Sequence, residues 1–69
     1  MIGMQIVLRQ RKGGFYLQPS GKFTAERDSA RRFETCVIAW YWAKEQQLLG
    51  MDVLMAFEEE RYDFVAMRT

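Results

Sequence analysis

From Val37 to Ala43 the chain runs seven apolar residues without a break, Val37-Ile38-Ala39-Trp40-Tyr41-Trp42-Ala43, with Thr35 just before the run and Gly50 beyond it. A threonine hydroxyl in that place satisfies the first free amides of a helix, and a glycine past the last turn accepts the left-handed conformation that stops one. The spacing predicts a helix over about 35–49. A lone helix cannot bury its own apolar stripe, so a 69-residue chain built on this one must supply the opposing layer from strands. On a helical wheel Ile38, Ala39, Trp42, Ala43 and Leu49 share one side, and the alanines permit close approach to a sheet. Val37, Tyr41 and Leu48 form a second stripe, split from the first by Lys44 and Glu45. A surface helix needs one apolar face, so the second stripe must meet the segment around Phe33 folded beneath it, or a partner.

The flanking sequence alternates. Two short apolar runs bracket Lys12-Gly13-Gly14, a hairpin signal that sets Leu8 and Gln10 against Leu17 and Phe15. Ile6, Leu8, Phe15 and Leu17 then point to one face, and Val7, Arg9, Arg11, Tyr16 and Gln18 to the other. Pro19-Ser20-Gly21 is turn chemistry, after which Lys22-Phe23-Thr24 can resume an extended strand. Beyond Gly50, Val53, Met55 and Phe57 alternate with Asp52, Leu54, Ala56 and Glu58, and Tyr62 to Met67 alternates again, which reads as two antiparallel strands. The competing reading is a second helix: Val53, Phe57, Glu60 and Phe64 fall near helical spacing, and Glu58-Glu59-Glu60-Arg61 lacks the glycine or asparagine of a tight hairpin. The order predicts a single α+β domain over 1–69, a two-layer ββαββ arrangement with an antiparallel sheet packed on one helix. Ile6, Leu8, Phe15, Leu17, Val53, Met55, Phe57, Tyr62 and Phe64 are expected beneath the helix. Val7, Tyr16, Leu54, Ala56, Val65 and Met67 are expected on an open face among Arg9, Arg11 and Gln18. Monomers rarely expose that much contiguous apolar surface, so the open face predicts a homodimer or a protein partner.

Composition narrows the chemistry. Cys36 is the one cysteine and histidine is absent, which excludes an intramolecular disulfide, a His/Cys zinc site and Ser-His or Cys-His nucleophilic devices. Cys36 falls in the first helical turn with no basic residue spaced to activate it, and reads as structural. Glu58-Glu59-Glu60, with Asp52 and Asp63, is an acid cluster. Consecutive carboxylates on a turn diverge into solvent, whereas a metal or an acid/base pair needs convergent ones. Lys12-Gly13-Gly14 lacks the Lys-Ser/Thr and helix of a phosphate loop. The expectation is a protein with no enzymatic activity, metal or cofactor.

Net charge is +1, but residues 1–33 hold seven Lys/Arg against two Asp/Glu, and residues 34–69 three against seven. Near-neutrality argues against a nonspecific nucleic-acid coat, while the basic first half can still present a local patch. Arg9, Arg11 and Lys12, extended by Lys22, Arg31 and Arg32, are the candidates for phosphate contacts, with Tyr16 for stacking. Single-stranded nucleic-acid platforms usually offer more than one such ring. The apolar stretch Met1–Leu8 is short, has no basic lead and runs into Arg9-Gln10-Arg11-Lys12, unlike a signal peptide, and no stretch approaches the ~18 apolar residues of a membrane span. A free cysteine fits a reduced cytoplasm.

Gly14-Phe15-Tyr16-Leu17, Gly21-Lys22-Phe23-Thr24 and Ser29-Ala30-Arg31-Arg32-Phe33-Glu34-Thr35, leading into a helix and a strand begun by Gly50, carry a resemblance. Over about 14–57 the chain resembles small phage and prophage proteins with a YxL…GxFT…ARRFxT pattern, most without an assigned activity. In size and element order it is also similar to phage-encoded inhibitors of bacterial machinery, including some anti-CRISPR proteins and inhibitors of host RNA polymerase. The helix in the first group is usually rich in Glu and Lys, whereas this one carries Trp40, Tyr41 and Trp42. The resemblance implies a non-enzymatic binder of a bacterial protein or ribonucleoprotein complex in the host cytoplasm. Tyr16, Arg9, Arg11, Trp40, Tyr41 and Trp42 are its candidate anchors, since aromatic and arginine side chains dominate binding hot spots. The alternative is a small nucleic-acid-binding protein using the basic hairpin.

Overall fold

A computed structural model describes residues 3–69; Met1 and Ile2, the start of the stretch read as unlike a leader, lie outside it. Five strands, β1 (Gln5–Gln10), β2 (Tyr16–Leu17), β3 (Phe23–Thr24), β4 (Met51–Ala56) and β5 (Phe64–Arg68), form one antiparallel sheet in the order β3-β2-β1-β4-β5. The helix α1 (Cys36–Glu45) lies between β3 and β4 in the chain and packs on β1, β4 and β5. The fold is therefore α+β, as the alternation predicts. Lys22–Thr24 resumes as the short β3, and 52–68 is a pair of strands, not a helix. The hairpin register is the expected one: Arg9 stands opposite Tyr16, and Gln10 and Phe15 close a four-residue loop, the Gln10 amide donating to the Phe15 carbonyl at 2.7 Å.

The helix begins as expected and ends early. The Thr35 hydroxyl accepts the Ile38 amide at 3.0 Å, an N-cap. At the other end Gln47 takes the left-handed conformation, φ 58°, the Leu48 amide donates to the Ala43 carbonyl at 2.9 Å and the Gln47 amide to Lys44 at 3.0 Å. This is a Schellman stop made by a glutamine. Gly50, also at positive φ, instead turns the chain into β4, where its carbonyl accepts the Arg11 amide at 2.8 Å.

The face of the sheet away from the helix is covered too, which corrects the expectation of an open one. Under the helix Ile6, Leu8, Leu17, Phe33, Ala39, Ala43, Met51 and Val53 form a buried cluster. On the reverse face Val7, Tyr16, Leu54 and Ala56 are also buried, capped by Ala30, with Val65 packed against them. The cover is the segment between β3 and the helix. It crosses the reverse face as a 3-10 turn (Arg27–Ser29), and then returns to the sheet edge, where the Arg31 amide donates to Leu17 and Phe33 bridges to Ile6. Sequence alternation cannot show this, because 25–33 is polar and basic and advertises a loop. The apolar surplus on that face, which argued for a homodimer or a protein partner, is thus taken up within the chain.

Three other expectations are corrected. Met67 joins the helix-side core because a bulge between Val53 and Leu54 shifts the β4–β5 register, setting Met67 opposite Val53 and Val65 opposite Leu54; one extra residue inverts the faces. Phe15, Tyr62 and Phe64, expected under the helix, are exposed, and Met55 and Phe57 are half-buried. A ten-residue helix spans about 15 Å, less than the ~20 Å of a six-residue strand, so it leaves part of the sheet bare. Ile38 and Leu49, expected to dock on the sheet, point to solvent, while Ala39, Ala43 and Trp42 make the contact.

Candidate protein-binding surfaces

The six candidate anchors divide into two groups. Tyr16 is 5% exposed, one wall of the reverse-face core. Trp42 is half-buried against Phe33, ring centroids 5.7 Å apart, and the Arg31 guanidinium sits 4.7 Å from the centre of both rings. These two aromatics hold the fold, and Arg31, read as a phosphate contact, caps their packing. Trp40 is half-buried as well and packs against the helix-side core, while Tyr41 remains at the surface. The Trp40 indole donates to the Arg68 carbonyl at 2.9 Å, which fixes the ring, and Tyr41 packs edge-on against it at 5.2 Å. Tyr41 is 58% exposed, and Val37 and Ile38, one turn earlier, are exposed beside it. The second stripe therefore splits. Leu48 packs on the core, Phe33 goes to Trp42 and not beneath Val37 and Tyr41, and the ridge Val37-Ile38-Tyr41 is left bare.

Arg9 and Arg11 lie on the reverse face of the sheet beside Asp52. Arg9 is the cross-strand neighbour of Asp52, which is 4% exposed; Arg11 donates from Nε to the Asp52 carboxylate at 3.0 Å, and Arg68 approaches it at 3.7 Å. A buried carboxylate needs such partners, so part of this positive charge is neutralised within the fold. Lys12, Lys22 and Arg32 are exposed, but the Arg31 guanidinium is on the opposite, helix-side face. The six cations proposed for phosphate do not form one patch.

No family model, curated protein or solved structure matches this chain. What the surface can do is decided by its own geometry.

Sequence reading missed an ion pair. Arg27, in the covering segment, donates to both oxygens of Asp63 at 2.8 and 2.6 Å and also to the Phe57 carbonyl, and Asp63 accepts the Phe57 amide at 2.7 Å. Burial alone would raise the Asp63 carboxyl, but the hydrogen bonds from Arg27 and the Phe57 amide overcome it and hold the group below its ordinary value. The same bond to Asp63 holds Arg27 above its own. The partner lies 36 residues away, so nothing local in the sequence signals the pair. Beside it, Phe57 and Phe64 stack at 6.1 Å, and with Tyr62, Glu58 and Glu59 they line an open cleft of about 600 Å³. Cys36 is half-buried against the core. Among the described residues no helix is long and apolar enough to cross a membrane, and no three His, Cys, Asp or Glu side chains converge as metal ligands.

Proposed function

We propose that this chain is a small non-enzymatic protein-binding module of the phage and prophage type, which inhibits or modulates a bacterial complex by occupying a surface of it. The observation that carries this reading is the bare helix ridge. Val37, Ile38 and Tyr41, each about half or more exposed, stand in adjacent turns beside a Trp40 whose ring is fixed by its own hydrogen bond. A preorganised apolar and aromatic helix face is the usual form of a helix-in-groove contact. On this reading the protein acts in the host cytoplasm, with no cofactor and no reaction step, and Arg9, Arg11, Trp40 and Tyr41 face the partner while Tyr16 and Trp42 support the fold.

Capture of one stoichiometric complex from bacterial lysate, unaffected by nuclease and lost with Val37→Glu and Tyr41→Ala, is the expected result. Capture that both variants leave intact would reject the ridge. A nucleic-acid reading draws on Arg9, Arg11 and Arg68 sharing one sheet face around Asp52. It requires oligonucleotide binding that weakens steeply with salt, through counterion release, and is lost with Arg9→Ala.

A further inference from the structure

We propose that the cleft between Phe57, Tyr62 and Phe64 is a second contact site, built to receive an arginine or lysine side chain from a basic segment of a partner protein. The inference deepens the protein-binding reading and rests on it, but it concerns a surface remote in sequence from the helix ridge.

The floor of the cleft is aromatic. Phe64 is 49% and Tyr62 56% exposed, and Phe57 stacks on Phe64 at 25° between ring planes. The rim is acidic: Glu58 and Glu59 line the cleft and Glu60 follows, all exposed. Aromatic faces attract cations through the ring quadrupole, and carboxylates at the mouth add charge selection. The cleft is also held in shape. Asp63 sits between Tyr62 and Phe64 and is tied to both backbone groups of Phe57, directly at its amide and through Arg27 at its carbonyl. Its volume lies within the roughly 300–1,000 Å³ of ordinary ligand pockets.

The chain itself shows which chemistry fits. The Arg61 guanidinium, outside the lining of the cleft, stands 4.9 Å over the Tyr62 ring and 3.3 Å from the Glu59 carboxylate, so one ring and one carboxylate of the lining already engage a guanidinium. Arg61 is 71% exposed and, among the described residues, makes no other salt bridge, so a partner's cation can replace it. Neighbouring apolar side chains of the partner segment would cover Phe57 and Phe64.

The test titrates the isotope-labelled protein with a synthetic peptide of alternating arginine and leucine, and with a control peptide of glutamate and leucine, following backbone amide shifts. Shifts confined to residues 57–64, seen with the arginine peptide alone, are expected. Tyr62→Ala should weaken that binding about tenfold, and Arg61→Ala, which removes the internal competitor, should tighten it about threefold. Both sites are exposed, and spectra unchanged elsewhere establish that the variants fold. Several results overturn the proposal: no shifts at about millimolar peptide, equal response to the glutamate peptide, or an Arg61→Ala variant that binds no tighter. So does self-association through 57–64 that the arginine peptide does not displace, which would make a second copy the occupant. Because lysate capture is read through Val37 and Tyr41, the cleft can fail while the protein-binding reading stands, and the reverse.

Discussion

Arg27 and Asp63, 36 residues apart, form a two-pronged ion pair that ties the segment covering the reverse face of the sheet to the connection between β4 and β5. The side chain of Asp63 is 4% exposed and that of Arg27 20%. Removing one member leaves the other charged and largely out of water, so Asp63→Asn is expected to cost about 2–3 kcal/mol. For a domain of this size that lowers the thermal midpoint by about 10 °C or more. Calorimetry of the variant checks the value, and Arg27→Met should lose more than Asp63→Asn, because it leaves the more deeply buried Asp63 carboxylate without its cation.

The same pair sets the acid limit. The Asp63 carboxyl is lowered in the folded state, so its contribution is complete above the unfolded carboxylate value of about 3.9 and is lost as pH falls through the folded value. Arg27 is raised, so its contribution is lost only as pH rises through a value already beyond the usual guanidinium range. Urea midpoints are therefore expected to be flat from about pH 8 to 5 and to fall below about pH 4. The fall should be shallower in Asp63→Asn. An equally steep fall in the variant would assign the acid response to other carboxylates.

Where the chain obeys period-two alternation and glycine punctuation, the sequence is enough to read the fold. The hairpin about Lys12-Gly13-Gly14, the Thr35 cap and the strand parity of Ile6, Leu8, Leu17 and Val53 all appear as expected. What alternation hides is long-range cover. Ala30 and Arg27 close the reverse face through contacts with residues far along the chain, and a bulge at Val53/Leu54 moves Met67 across the sheet. Of the candidate anchors, Tyr16 and Trp42 look the same in sequence as Tyr41, since an aromatic buried by a distant loop carries no local mark of it. The cleft went unseen for the opposite reason: Tyr62 and Phe64 have the parity of core residues, but the short helix does not reach over them.

That partition of the aromatics gives opposite outcomes for chemically similar changes. Tyr16→Ala and Trp42→Ala remove packed rings and are expected to cost about 3 kcal/mol each, with Trp42→Ala also releasing Arg31. Tyr41→Ala should change stability by no more than about 1 kcal/mol while removing partner capture. Denaturant unfolding together with capture separates the two classes. A Tyr41→Ala variant that unfolds like Tyr16→Ala would mean that the ridge is covered in the folded chain.

The helix stop offers a change in the stabilising direction. Gln47 holds a left-handed backbone, φ 58°, that costs an L-residue about 1–2 kcal/mol relative to glycine, part of which glycine returns through the greater freedom of its unfolded chain. Its amide and that of Leu48 cap the last carbonyls, and neither bond needs the glutamine side chain. Gln47→Gly is therefore expected to stabilise by about 0.5–1 kcal/mol with the Schellman bonds retained. Thr35→Ala, at the other end, removes the hydroxyl that accepts the Ile38 amide and should destabilise by about 1 kcal/mol. Equilibrium unfolding of both variants and the double mutant tests this, and the two effects should add, because the caps lie a full helix apart and share no partner.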